Sequence, residues 1–282
     1  MDRLTTLLTH FSLHAGVFYT GNICGIHDFQ QDKEHGHLHL IKRGSIQITG
    51  LKKEAVHIDE PTLLFLPRTN MHRMVANENN GADVVCGTIQ FGGGGHNPIS
   101  DSLPDIVIVK LSEIPSLDAV LNALFEEVFS EHCGRQGVLD RLSEVIIIQL
   151  LRYCLDHNLT KGGALAGLAD ARLSKVLNVI HEDPAREWDL NTMARLAGMS
   201  RARFAVRFRE VTGETPSDYL VSWRVMTAQR LLKRGLLLKH VAYDVGYGSA
   251  SALTRAFVRK LGITPTEWLN SQKYDLDTGD SL

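Results

Sequence analysis

Cysteine is scarce in this 282-residue chain, which has four, Cys24, Cys86, Cys133 and Cys154, with no CxxC pair and no ligand-like spacing. That excludes a disulfide scaffold and a zinc ribbon. No segment approaches the roughly 20 apolar residues of a membrane span, and the opening MDRLTTLLTHFSLHAG lacks a long apolar core after a basic end. The protein is therefore expected to be cytoplasmic, with no membrane partner. No Gly-Lys-Ser follows the glycine run at 92–95, which reads as a loop without phosphate chemistry. Net charge is also small, −2, but it is unevenly spread. Residues 1–171 hold 13 Lys and Arg against 20 Asp and Glu, whereas residues 172–272 hold 16 against 9. The basic part suits a polyanion and the acidic part does not.

What the chain does contain is one helical pattern stated twice. LNTMARLAGMSRARFAVRFREVTGETPSDYL is followed by LKHVAYDVGYGSASALTRAFVRKLGITPTEWL. Ala194 aligns with Ala242 and Gly198 with Gly246, then Phe208 with Phe257, Gly213 with Gly262 and Pro216 with Pro265, with one residue inserted in the second turn. Each copy has the form of a helix-turn-helix: a short helix ending at glycine, then a second helix starting from a cap. Phe204, Phe208 and Val211 share one face at i, i+4 and i+7, so they are expected to pack inward. Arg201, Arg203, Arg207 and Arg209 are left on the flanks and outer surface, either as a DNA-binding face or as an ordinary solvated one. Between the copies, SDYLVSWRVMTAQRLLKRG reads as a connecting helix that would hold the two reading heads about one turn of DNA apart, roughly 34 Å.

Residues 11–110 read as short antiparallel strands, in runs such as HLHLIKRGSIQITG and ADVVCGTIQFG cut by Gly, Pro, Asn and Asp. From Ser116 the period becomes helical, and VLDRLSEVIIIQLLRYCLDH is apolar over more than one face. Either that helix is wholly buried in its own domain or part of it pairs in a homodimer. Cys133 and Cys154 fall in these helical stretches as packing residues. KGGALAGLADAR reads as a linker, which gives a domain at 1–160, a linker at 161–171, a basic helical domain at 172–272 and a tail at 273–282. The fold class is α+β, an antiparallel β-barrel with a helical dimerisation segment followed by an all-α domain.

The strand region resembles the cupin superfamily. Pro67-Arg68-Thr69-Asn70-Met71-His72 looks like the second cupin motif, and HLHLIKRG ending at Gly44 looks like the end of the first. Aligned on Gly44, the family's carboxylate ligand falls near His37 and its His-x-His near Gln30 and Asp32, so the usual metal set is absent. His37 and His39 still face one side of a strand, and His72 could approach them. Together they are candidate ligands for a divalent metal such as zinc, or else they line a vestigial pocket.

The duplicated pattern, the Trp223-Arg224 helix and the closing GYGSASALTRAF and GITPTEW look like the DNA-binding domain of the AraC/XylS transcription regulators. With the cupin-like region, nearly the whole chain resembles that family's cupin-bearing subgroup. Val85-Cys86-Gly87-Thr88 is similar to the branch that responds to reactive chlorine. The resemblance implies promoter DNA and RNA polymerase as partners, a homodimer, an activator, and a sensor for an oxidant or a small ligand. It places base-reading positions on Ala202, Ala205 and Val206, and on Ala250, Ser251, Thr254 and Arg255. The apolar first set can meet thymine methyl groups, whereas Arg255 can read a base edge. Cys24 and Cys86 are either redox sensors, with His27 and Arg73 as candidate activating neighbours, or small packing residues. The competing class is a cupin metalloenzyme, a dioxygenase or isomerase, fused to a DNA-binding module; a missing catalytic carboxylate argues against it.

Overall fold

The computed structural model describes residues 2–29, 35–51, 55–92 and 97–277, with side chains to residue 271. Gln30 and Asp32 lie outside the described residues, as does the glycine run at 92–95 apart from Gly92. Two compact units are present, one of Ser12–Lys161 and the other of Gly162–Leu282 together with Met1–Phe11. The first eleven residues, which carry helix α1 (Thr5–His10), thus belong with the basic helical unit and not with the strands.

The strand unit contains β1 (Leu13–Ile23), β2 (Gly25–Phe29), β3 (Gly36–Gly44), β4 (Ile46–Thr49), β5 (Val56–Ile58), β6 (Thr62–Leu66), β7 (His72–Ala76), β8 (Ala82–Phe91) and, after helix α2 (Pro98–Ser102), β9 (Val107–Lys110). The barrel expected from the sequence is instead two antiparallel sheets, of order β1-β8-β3-β6-β9 and β2-β7-β4-β5, with no ladder joining them among the described residues. Side-chain alternation explains how they pack. Ile41, Leu64, Leu66, Val84 and Cys86 from the first sheet meet Ile46, Ile48, Ile58 and Met74 from the second in one core. In β6 every residue is buried, because it is an inner strand covered on both faces.

Helix α3 (Asp118–Val128) packs on α4 (Arg135–Asp156), which lies against β1. Ile146, Ile147, Leu150, Leu151 and Leu155 of α4 are buried within the unit, while Val138 and Val145 stay exposed. The apolar excess of this helix is therefore mostly consumed at home. Cys154 is buried on α4, but Cys133 is exposed in the turn before it, not on a helix.

The helical unit begins with a correction to the expected linker, since residues 163–169 form a helix, α5 (Gly163–Ala169), with Ala164, Leu165 and Leu168 buried. Helix α6 (Leu173–Glu182) packs on it. The first helix-turn-helix is α7 (Leu190–Leu196) and α8 (Arg201–Thr212), the connector is α9 (Pro216–Lys233), and the second is α10 (Leu238–Asp244) and α11 (Ala250–Leu261), closed by α12 (Pro265–Asp277). The caps were written in the sequence. Ser200 accepts from the Arg203 N–H and Ser249 from the Ala252 N–H, while Thr264 and Glu267 form a reciprocal capping box. Phe204 and Phe208 are fully buried, with Val211 half-buried beside them.

Two turn glycines that align in sequence differ in surroundings. Gly198 and Gly246 both have positive φ, 63° and 86°. A Cβ at Gly198 would meet nothing within 4 Å, whereas at Gly246 it would sit 2.9 Å from the Ala185 Cα and carbonyl oxygen and 2.7 Å from the Arg224 guanidinium. Gly198→Ala should therefore cost about 1 kcal/mol, from the left-handed backbone alone. Gly246→Ala should cost roughly 1–3 kcal/mol more, from the backbone collision. Urea unfolding of the two variants checks the difference, and equal losses would contradict it.

In the helical unit, Trp223 of α9 is completely buried. His181 of α6 stacks on it at 3.7 Å between ring centroids, and Phe11 and His10 from the N-terminal end approach at 5.9 and 4.9 Å. The His181 Nε2 lies 2.7 Å from the Tyr219 hydroxyl. Burial, with His10 nearby, pushes the His181 pKa down to about 3, so this ring is neutral in the folded protein near pH 7.

Candidate functional site

On the first reading helix, Arg201, Ala202, Arg203, Val206 and Arg209 are exposed and Ala205 is half-buried. Val206 shows 59% of its surface, a large exposure for an apolar side chain at mid-helix. A groove of about 740 Å³ runs along this face, lined among others by Asp170, Arg172, Met199, Ala202, Arg203 and Val206. Arg207 is exposed like its neighbours but is already paired. Its Nε and Nη2 both donate to Oδ2 of Asp170, at 3.0 and 2.9 Å, so it is held by the corner between α5 and α6. Burial raises the Asp170 pKa, but the Leu173 and Arg172 backbone N–H groups and the Arg207 guanidinium outweigh it, and the net shift is downward.

On the second reading helix, Ser251 and Arg255 are exposed, and Ala250 and Thr254 are half-buried. The Thr254 hydroxyl donates to the Ala250 carbonyl, which occupies its proton within the helix. The Arg255 side chain makes no hydrogen bond or ion pair with any described residue.

In the strand unit, β3 carries His37 and His39 and β7 of the opposing sheet carries His72, all three buried. Their ligand nitrogens lie within 4.8 Å of one another. The hydrogen bonds fix a proton order. The Asn70 carbonyl can only accept, so His72 Nδ1 donates to it, at 3.1 Å. His72 Nε2 then accepts from His39 Nε2, 2.8 Å away, and His39 Nδ1 accepts from the Cys86 thiol at 3.0 Å. Burial, with His72 and His37 beside it, drives the His39 pKa well down. Burial also outweighs the Asn70 hydrogen bond to bring His72 down to about 4. Phe29 stacks on His72 at 4.9 Å and meets His39 edge-on at 4.7 Å, closing one side in apolar material. Three buried imidazoles converging from two sheets are a donor set that suits zinc or a similar divalent cation.

The two cysteines singled out by sequence have unlike surroundings. Cys24 is exposed, and its thiol donates to Asn22 Oδ1 at 3.2 Å. Neither expected activating neighbour reaches its sulfur: His27 donates to the Cys24 carbonyl, and Arg73 pairs with Asp28 through two hydrogen bonds. Cys86 is fully buried and its pKa is pushed up to about 12, the opposite of the lowered value and open access that a reactive thiol needs. Sequence reasoning missed both the Cys86–His39 contact and the Asp170–Arg207 pair; the first depends on strand register, with His39 opposite Cys86, and the second joins residues 37 positions apart.

No described helix is long and apolar enough to cross a membrane. Residues 2–156 match the cupin family, and residues 193–271 match a helix-turn-helix domain family. A Streptomyces lividans protein named as an AraC-like transcription regulator is 34% identical over 203 residues, 69% of this chain. The match spans 66% of that relative, just under two thirds of its length. The Escherichia coli K12 protein named RCS-specific HTH-type transcriptional activator RclR is 27% identical over 235 residues, 82% of each chain. Among solved structures, the DNA-binding domain of AdpA, a global transcriptional factor crystallised with a target DNA, is 33% identical. It covers 39% of this chain and 100% of its own, with a TM-score of 0.37. With a cupin match over more than half its length and a helix-turn-helix match over its paired helices, the chain belongs to the AraC-type transcription regulators that carry a cupin-like domain.

Proposed function

We propose that the protein is a transcriptional activator whose cupin-like unit senses its signal at the His37, His39 and His72 cluster, by taking up a divalent cation such as zinc. The observation that carries this is the convergence of three buried imidazoles from two opposing sheets. A cation bound there would supply a fixed positive centre. The chain's own part is to present the imidazole nitrogens beside Phe29, with the His39 proton moving from Nε2 to Nδ1 to face the Cys86 sulfur, and to hold His72 through Asn70. Oxidant input at the same place would act by removing the Cys86 hydrogen bond that orients His39, and the burial of that thiol stands against it. Exposed Cys24 is the second thiol of that reading.

On the DNA side, Arg201, Arg203 and Arg209 neutralise phosphates, while Ala202, Ala205 and Val206 offer apolar contact to thymine methyl groups. Ala250, Ser251, Thr254 and Arg255 form the second reading surface. The protein works as a homodimer on a promoter, and as an activator it meets RNA polymerase there. Arg255→Ala is expected to weaken binding to the cognate duplex by 1–3 kcal/mol, about 5- to 150-fold, and to relax preference at one base pair. Titrating its own upstream region against an unrelated duplex at matched salt reads this. An equal loss on both duplexes would make Arg255 a phosphate contact instead.

The test of the sensor is metal content of the purified full-length protein, followed by DNA binding with zinc and with a chelator. Stoichiometric metal whose removal changes preference for the upstream region is the expected result. No metal uptake would overturn the metal reading. A response to mild oxidant that survives Cys24→Ala with Cys86→Ala would remove the thiols.

A further inference from the structure

We propose that Asp170 withholds Arg207 from the DNA backbone and uses it as a brace that fixes the first reading helix against the corner between α5 and α6. The two carboxylate oxygens of Asp170 have separate duties. Oδ1 accepts from the Arg172 and Leu173 N–H groups at 2.9 and 3.0 Å and so starts α6, while Oδ2 takes both hydrogen bonds from Arg207. Only 11% of the Asp170 side chain is exposed, against 49% for Arg207. Lending Arg207 to a phosphate would leave a poorly hydrated carboxylate without its cation beside an incoming polyanion, so the pair resists opening when DNA arrives. The other arginines of α8 are different. Arg201, Arg203 and Arg209 have no described side-chain partner and are exposed.

The brace continues into packing. Gly167 of α5 lies so near α6 and α8 that a Cβ there would be 2.3 Å from Leu177 Cδ1 and 3.2 Å from Thr212 Cγ2. The segment that follows directly on the strand unit is thereby tied to the helix that reads DNA, and Asp170 is its positioning residue. This holds whether or not the histidine cluster binds metal.

The experiment is the salt dependence of binding by the full-length protein to a labelled duplex of its own upstream region, between about 50 and 200 mM salt. Each phosphate neutralised contributes about 0.9 to the slope of log K against log salt. Arg207→Gln should leave the slope unchanged, whereas Arg203→Gln should lower it by about 0.9. Asp170→Asn keeps an oxygen to start α6 but presents an amide to Arg207; release of the guanidinium should steepen the slope by about 0.9. Circular dichroism melts confirm that each variant is folded. A fall of about 0.9 with Arg207→Gln, or no change with Asp170→Asn, overturns the proposal.

Discussion

Replacing Trp223 with alanine is expected to destabilise the helical unit by about 3–5 kcal/mol, the range for removing a large aromatic side chain from a packed core. The indole is fully buried where three parts of the chain converge: α6 through His181, the residues around α1 through His10 and Phe11, and α9 itself. No neighbour can relax far into the space. His181 is tied to the Tyr219 hydroxyl, and Tyr219 meets Phe208 of the first reading helix at 5.4 Å. The cavity would therefore open beside the His181, Tyr219 and Phe208 contacts that back α8. Urea unfolding followed by far-ultraviolet circular dichroism measures the loss, with the slope checked so that a change in midpoint is a change in stability. A loss below about 1 kcal/mol would mean that the surrounding rings close the gap, contrary to the tight stack at His181.

Zinc at a thousand times its dissociation constant should stabilise the strand unit by about 4 kcal/mol if the histidine cluster binds it only in the folded state. His39→Ala should abolish that gain. Without metal, the same substitution should still cost about 1–3 kcal/mol, because it strips His72 and Cys86 of their buried partner. Thermal melts of wild type and variant, each with zinc and with chelator, separate the two effects. A wild-type melt that zinc does not move would remove the cluster as a zinc site, while the metal-free cost would remain as the value of a hydrogen-bonded core.

The helical unit was the more legible of the two because its information is local. Ser200, Ser249 and the Thr264 and Glu267 box start helices within three residues of themselves, and the turn glycines declare a positive φ in place. The strand unit was legible only in part. Alternation showed that His37 and His39 share a face, but their meeting with His72 depends on how two sheets stack, which no short-range pattern records. For the same reason a barrel was expected where two separate sheets exist. Helix α5 was hidden because KGGALAGLADAR has the composition of a linker, and its order comes from burial of Leu165 and Leu168 against the rest of the unit. Arg207 lay on the outward side of the helix, as its spacing implied, yet its partner Asp170 could not be read from that spacing.

The membership of α1 in the helical unit bears on how this protein is made. His10 and Arg230 touch across 220 positions of chain, at 3.4 Å between His10 Nε2 and Arg230 Nη2. On the ribosome the first helix emerges long before the connector it packs on, and the whole of the strand unit is synthesised in between. Ser12–Lys161 can fold as soon as it is released, because all its partners are already present. The helical unit can close over Trp223 only after α9 appears, with the loop between already compacted. Nascent chains stalled before Pro216 should therefore hold a folded strand unit and an unprotected N-terminal helix, and a fragment starting at Gly162 should leave the Trp223 pocket open on the side that His10 and Phe11 cover.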